Sequence, residues 1–388
     1  MSTTRLYHAD SYARRFEATV IAITDHAGAP AIVLDATAFY PEAGGQLGDR
    51  GTLGGATIID TQERDDGTIM HLFTGEAPRG AVTGELDWAR RRQHMAQHTA
   101  QHLLSGALLD RAQAATQSAR LGESALTIDV TRDRIPDADL AKAEALANDL
   151  IDDDLPVRAW FPAADELAQL RLRRDPKVAA DIRVVAIGDF DFSPCGGTHV
   201  ARTSQLSSVR IASSERYKGM TRVTFTAGRR ARTELFAHDA VLRGLGTQLS
   251  CAPTDVPAAI AKLRRDSDGT RADLTALRGR LATMIADALP GTDRVVAAVP
   301  GADADLLRAV AARLVGAGRD ALISGPDGTV VLFRAAGSTL DCGALWKQLA
   351  AAHGGRGGGK AERAEGRLAS PIATWDQAIA ALLASRSS

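Results

Sequence analysis

His98 and His102 stand four residues apart in "HTAQH", and Cys195 and His199 stand four apart in "CGGTH". On a helix, positions i and i+4 share a face, so the first two imidazoles point the same way. In the second pair, Gly196 and Gly197 let the backbone fold tightly enough for both side chains to turn inward. Three imidazoles and one thiolate form a donor set suited to Zn2+, a borderline-soft, tetrahedral ion. A Cys195 thiol activated by His199 is the rival chemistry, but it leaves His98 and His102 without a task. The zinc-protease reading fails, because Thr99 stands where that motif needs its glutamate base. Four protein ligands normally make a closed, structural site, whereas a catalytic one keeps a position for water. Spacing leaves both open.

A second candidate is "TAFYPEAGGQLGDRG", Thr37–Gly51. Gly44 and Gly45 permit close approach of backbone to a ligand, and Gln46 adds an uncharged donor and acceptor. The same residues also suit an ordinary β-turn.

Positioning these groups falls to an α+β multidomain chain, since 388 residues predict two or three domains. Residues 1–90 read as β-rich and are expected to form a small β-barrel that carries the glycine-rich motif. "FEATVIAIT" and "APAIVLD" are strand-like, and "ATIIDTQERDDGTIMHLF" resembles two strands around an Asp-Gly turn. From Trp88 the apolar spacing becomes helical, and residues 91–232 read as an α+β domain holding both ligand pairs. Residues 233–290 read as a helical linker broken near "SCAPTD", with too few heptads to require a coiled coil. Residues 291–388 alternate short buried strands with helices that end in glycine, the pattern of a small α/β domain.

Composition sets outer bounds. With 45% hydrophobic and 24% charged residues, the chain can bury a sizeable core. Three cysteines are no disulfide framework and point to a reducing compartment. The start, "MSTTRLYHADSYARRF", lacks the apolar stretch of a signal peptide. No apolar run approaches the roughly 18 residues of a membrane span, so a cytoplasmic location and no membrane partner are expected. A net charge of −1 announces no polyanion partner. Local basic stretches at Ala89–His94, Arg171–Lys177, Gly228–Arg232 and Lys262–Arg265 read as solvated faces or as contact patches.

"DATAFYPEAGGQLGDRG", "HTAQHLLSGAL" and "VVAIGDFDFSPCGGTHV", in that order, resemble the signature stretches of alanyl-tRNA synthetase editing domains and of the free-standing AlaX trans-editing proteins. "YKGMTRVTFTAG" is similar to the strand that closes that domain, so the likeness covers roughly residues 5–230. "HGGRGGGKAERAEG", His353–Gly366, resembles the glycine-rich motif of the DHHA1 domain. Together they look like the long form of AlaX, with no counterpart of the synthetase's ATP-binding core ahead of the first histidine motif. No Asp-His-His motif accompanies the DHHA1-like tail, which argues against a phosphoesterase.

The resemblance implies a hydrolase that deacylates mischarged tRNA(Ala), chiefly the seryl and also the glycyl ester. A zinc-stabilised tRNA-binding module without turnover is the alternative. Such an editing site answers a physical limit: an alanine pocket cannot exclude smaller glycine, nor strongly reject an added hydroxyl. By the same resemblance His98, His102, Cys195 and His199 are the zinc ligands. Gln46 is expected to stabilise the oxyanion with backbone N–H groups of the glycine loop, and Thr37 to sense the serine hydroxyl. Gly44, Gly45 and Asp191 are placed at the substrate, with Asp191 also able to orient a ligand histidine. Arg356, Lys360 and Arg363 are expected to meet tRNA phosphates from a glycine loop, and the linker and last domain to support a homodimer.

Overall fold

The computed structural model describes residues 3–176 and 178–384. Lys177, which ends the basic stretch from Arg171, lies outside them, as do the tips of the first and last expected domains at 1–2 and 385–388. The chain divides into two compact units, Met1–Gly244 and Leu245–Ser388.

The first unit opens with β1 (Thr4–Arg5) and α1 (Leu6–Ala9), followed by β2 (Arg15–His26), β3 (Ala29–Leu34) and β4 (Ala36–Thr37). Then come β5 (Gly51–Leu53), β6 (Ala56–Glu63), β7 (Ile69–Thr74) and β8 (Ala81–Leu86). Six of these strands close a barrel in the order β2-β3-β7-β6-β5-β8, while β1 runs parallel to β4. Alternation drives the closure: Phe16, Ala18, Ile32, Leu34, Ile58 and Val82 point inward and fill the interior around Phe39.

The rest of the unit is built around α2 (Trp88–Ala112). Asp87 caps its start by accepting from the Arg90 amide at 3.1 Å, and Gln113 ends it in the left-handed region at φ 51°. From His94 to Leu108 every residue is buried. A helix enclosed on all sides normally carries apolar side chains throughout, yet this one carries Gln97, His98, Thr99, Gln101, His102 and Ser105. Each must find a partner inside the protein.

Around α2 lie β9 (Thr116–Leu121), β10 (Leu126–Val130), α3 (Asp137–Asp152), β11 (Val157–Trp160), α4 (Ala164–Gln169), β12 (Val184–Ile187) and β13 (Asp191–Pro194). The unit's last strands are β14 (Val209–Tyr217) and β15 (Met220–Ala227). One antiparallel sheet runs β14-β15-β10-β9 and a second runs β11-β12-β13. Every residue of β12 is buried, as suits the central strand of three, and β13 delivers the chain to Cys195.

The barrel's glycine loop is fixed to α2 by a buried ion pair. The Arg91 Nε donates to Asp49 Oδ2 at 2.9 Å, and its other nitrogens donate to the Ser11 and Ala38 carbonyls. Both side chains are essentially unexposed. Beside them, Gln46 bridges Leu121 of β9 in parallel.

α5 (Gly228–Leu249) carries the chain into the second unit, which contains α6 (Val256–Ala288), β16 (Arg294–Ala298), α7 (Ala304–Gly316), β17 (Asp320–Ser324) and β18 (Thr329–Phe333). It ends with α8 (Cys342–His353), β19 (Gly355–Lys360), β20 (Arg363–Leu368) and α9 (Trp375–Ala384). Its sheet runs β16-β17-β18-β20-β19, with only β16 and β17 parallel. Alternate strand residues feed two cores, one under α6 and α7 and one under α8 and α9. Along α6, Leu274, Leu277, Leu281 and Met284 are exposed.

The expected phosphate-facing glycine loop is instead β19, a wholly exposed edge strand. Its glycines answer to close neighbours: the indole of Trp346 lies against Gly357, and the β20 backbone crowds Gly355 and Gly359. A Cβ at Gly357 would come within 2.7 Å of that ring, and one at Gly366 on β20 within 2.1 Å. Among the described residues, no helix is long and apolar enough to cross a membrane.

Arg91→Ala would leave Asp49 buried without a counter-charge. Urea unfolding should report a loss of about 3–5 kcal/mol, partly recovered when Asp49 is also made apolar. A loss below about 1 kcal/mol, the worth of an exposed pair, would show that the linkage does not hold the loop.

Candidate metal centre

α2 brings His98 and His102 to one face, and the turn after β13 carries Cys195 and His199 against it. One ligand atom from each of the four lies within 4.8 Å of the others. The Cys195 Sγ is 3.4 Å from His98 Nε2 and 3.4 Å from His199 Nε2. Close approach of the turn to the helix requires glycine: a Cβ at Gly197 would sit 2.2 Å from His98 Cε1. His94, four residues before His98, stays outside the cluster: from His102 it is two four-residue steps away, about 12 Å along the helix and about 80° around it.

Each imidazole is held at Nδ1 by an oxygen acceptor. His98 Nδ1 meets Gln46 Oε1 at 2.8 Å, His102 Nδ1 meets Asp191 Oδ2 at 3.3 Å, and His199 Nδ1 meets Thr99 Oγ1 at 3.1 Å. The Thr99 hydroxyl donates to the Met95 carbonyl at 3.0 Å, so toward His199 it accepts. A proton on each Nδ1 leaves each Nε2 lone pair for the centre of the cluster. That is how histidines are set before a metal binds. Burial alone would raise the Cys195 thiol, but the three surrounding imidazoles outweigh it and hold the thiol well below its ordinary range. Burial pushes His199 down to about 3, toward the neutral form a ligand needs, whereas at His102 burial is outweighed by Cys195 and Asp191 and the ring is raised. The residues fit a metal ion with nitrogen and sulfur ligands, zinc first among them.

Further contacts stiffen the ligand turn. Arg183 Nη1 donates to the carbonyls of Cys195 at 3.0 Å and Gly197 at 2.8 Å, and His8 Nε2 lies 3.2 Å from the Gly196 carbonyl. Behind His102, the Asp191 carboxylate accepts from Arg173 Nε at 2.5 Å and from the Ser193 hydroxyl at 3.1 Å.

Cys195 and His98 face a cavity of about 530 Å3, with Gly44 and Gly45 on its wall. Ala43 and Gln46 exchange both backbone hydrogen bonds around the two glycines, which lie at φ 60° and 89°. The loop is therefore a two-residue hairpin-type turn that only glycine-like residues adopt without strain, and its backbone is the cavity wall. Both readings of this stretch, turn and ligand-facing loop, describe the same atoms.

Three expected residues, Gln46, Thr37 and Asp191, stand off the cavity wall. Gln46 is fully buried behind His98: its carboxamide oxygen takes His98 and the Thr198 amide, and its nitrogen donates to Thr198 Oγ1 at 2.9 Å. That position suits holding a ligand rather than meeting an oxyanion. Thr37 is also fully buried and is not on the cavity wall. Its hydroxyl bonds to His71 Nε2 at 2.9 Å and accepts from the Phe39 amide at 3.1 Å. His71 Nδ1 lies 2.9 Å from the Ile32 carbonyl, and burial drives the ring down to about 4, so it is neutral and Thr37 is its donor. A hydroxyl so committed has no proton left to donate to a serine side chain, and only one free lone pair. Asp191 stands against His102, off the cavity wall. Arg356, Lys360 and Arg363 lie on β19 and β20 in the second unit, where Arg363 pairs with Glu365 and stacks over Phe333 at 4.5 Å.

The model of the threonyl and alanyl tRNA synthetase second additional domain matches residues 182–224, a span that includes Cys195 and His199. The alanine–tRNA ligase of Halobacterium salinarum is 34% identical over 356 residues, which is 84% of this chain and 38% of the ligase. The ligase of Thermococcus kodakarensis is 31% identical over 397 positions, 95% of this chain and 42% of that one. The alanyl-tRNA editing protein AlaX-L of Pyrococcus horikoshii is 34% identical over 271 residues, 67% of this chain and 66% of that protein. The chain belongs to the AlaX alanyl-tRNA editing family. It spans about two-fifths of the ligases it matches.

In this AlaX-family chain the hydrogen-bond acceptors behind the histidines should matter to metal affinity. Asp191→Asn keeps the shape and removes the charge behind His102. Chelator competition on purified protein should show roughly ten- to a hundred-fold weaker zinc binding. Unchanged affinity would mean that Asp191 serves only the fold.

Proposed function

We propose that the protein is a hydrolase that removes serine, and secondarily glycine, from mischarged tRNA(Ala). The observation that carries this reading is the juxtaposition of a buried three-histidine, one-cysteine cluster with a cavity walled by an exposed-backbone glycine turn, in a chain of the AlaX family. The cavity admits a small ester rather than a whole nucleic acid, so tRNA would present only its aminoacylated end.

In this account His98, His102, Cys195 and His199 hold zinc, which polarises or orients a bound oxygen or amine when present. The chain's own groups do the rest. Gln46, Thr99 and Asp191 fix the ligand tautomers. Arg183 and His8 keep the Cys195–Gly197 turn from moving as substrate enters. The amides of Gly44 and Gly45, with no side chain to shield them, stabilise charge that develops on the ester oxygen as water attacks. Asp191, the acid against the cluster, is committed to Arg173 and Ser193, so the tRNA ribose hydroxyl beside the ester would take the water's proton while passing its own to the leaving ribose oxygen.

A zinc-stabilised tRNA-binding module without turnover shares the four-ligand set. The cavity favours the hydrolase, because a closed structural site needs no such space beside it.

Incubating the purified, zinc-loaded protein with Ser-tRNA(Ala) and Ala-tRNA(Ala) decides between them. The expected result is rapid loss of serine with alanine spared. Gln46→Ala should lower the rate roughly ten- to a hundred-fold together with zinc affinity, as a residue acting through His98 must. Bound zinc and bound tRNA with no ester loss would establish the module instead.

A further inference from the structure

Part of the cavity wall comes from residues between β11 and β12, and it carries a feature that holding a metal does not explain. Phe161, immediately after β11, lines the cavity yet is 51% exposed. Its one ring neighbour among the described residues is His8, 5.7 Å away at an interplanar angle of 63°, so no aromatic ring is stacked flat on it. Val178, 59% exposed, lines the same cavity, so the exposed apolar groups here are gathered at one opening rather than scattered singly, the pattern of a binding surface.

Two adjacent arginines on the same wall behave differently. Arg173 turns inward, its side chain 9% exposed, and pairs with Asp191. Arg174 is exposed, lines the cavity, and donates to the Pro194 carbonyl at 3.0 Å. No carboxylate pairs with it among the described residues. A guanidinium has five N–H donors, so one anchoring bond fixes its place and leaves the others for a ligand. Of the other arginines on the cavity, Arg5 pairs with Glu63 and Arg183 holds the Cys195 and Gly197 carbonyls, and Asp175 and Asp181 line it as well, so Arg174 is the exposed guanidinium there with donors to spare.

We propose that Phe161 and Arg174 form a seat for the 3′-terminal nucleotide of an RNA acceptor end, the ring stacking on the terminal base and the guanidinium meeting the adjoining phosphate. The inference rests on the reading that the cavity takes an aminoacylated RNA end. An exposed aromatic ring and a guanidinium without a carboxylate partner on one cavity are the combination that holds single-stranded nucleotides, because every base offers a π-face and every linkage a charge. The anchoring of Arg173 on Asp191 sets where the seat stands relative to the ligand His102. Ester and nucleotide would then be located by one continuous wall.

The test is a cycle between protein and RNA that needs no turnover. Two uncharged RNA hairpins are used, one ending in unpaired ACCA and one lacking the final adenosine. Parent, Phe161→Ala, Phe161→Trp and Arg174→Ala proteins are compared, with zinc content and circular dichroism confirming that each is folded. The parent should favour the hairpin with the terminal adenosine by about five-fold or more, the worth of one stacked base. Phe161→Ala should bind both hairpins alike, and Phe161→Trp should restore the preference. Arg174→Ala should flatten the slope of log affinity against log salt by about 0.7, one single-stranded phosphate contact. A Phe161→Ala protein that keeps the parent's preference overturns the stacking seat, and an unchanged salt slope overturns the phosphate contact. A folded, zinc-loaded parent that binds neither hairpin overturns the cavity reading itself, and the seat with it.

Discussion

Everything around the site follows from placing three imidazoles and a thiol inside a helix-packed core. Buried polar groups without partners are costly, and each of these rings has two nitrogens to satisfy. The structure gives the outer nitrogens to Gln46, Thr99 and Asp191, and turns the inner ones on a common point with the Cys195 sulfur. An ion at that point completes the arrangement. Four lone-pair donors converging with no hydrogen between them would otherwise repel. The cluster is therefore a constraint on the fold as much as a tool, because α2 can remain buried only if these groups are paired.

The constraint reaches across the first unit. His98 is tied through Gln46 to the barrel's glycine turn, and that turn is tied to α2 again by Arg91 and Asp49. His102 is tied through Asp191 to Arg173 and so to the wall carrying Phe161 and Arg174. Both sides of the cavity are thus referenced to the same helix. Such second contacts fix a site within tenths of an ångström, which ester chemistry requires of groups that position substrate.

Much of the site was legible in the sequence because its spacing is short. A four-residue histidine step on a helix, and a cysteine–histidine step across two glycines, state their geometry locally. The barrel was legible from alternating apolar residues such as those of Ala81–Leu86. The partners were not. Thr99 meets a histidine 100 positions away and Asp191 one 89 positions away, so only the packing of β13 against α2 pairs them. The placement of Gln46 depends on the same packing, since a side chain one residue beyond a turn faces cavity or core according to the strand beside it, here β9. Thr37 was a plausible sensor by type, but only the fold shows His71 waiting for its proton. The β19 strand escaped notice because glycine weakens strands, and the indole beneath that makes glycine necessary comes from α8.

The central claim, that this cluster is a metal centre with three nitrogens and one sulfur, is tested most directly by X-ray absorption at the zinc edge on protein purified without chelators. The account predicts about one zinc per chain, with one sulfur near 2.3 Å and three nitrogens near 2.0 Å, as roughly expected of such ligands. A protein that holds no metal, or a first shell of oxygens alone, would contradict it.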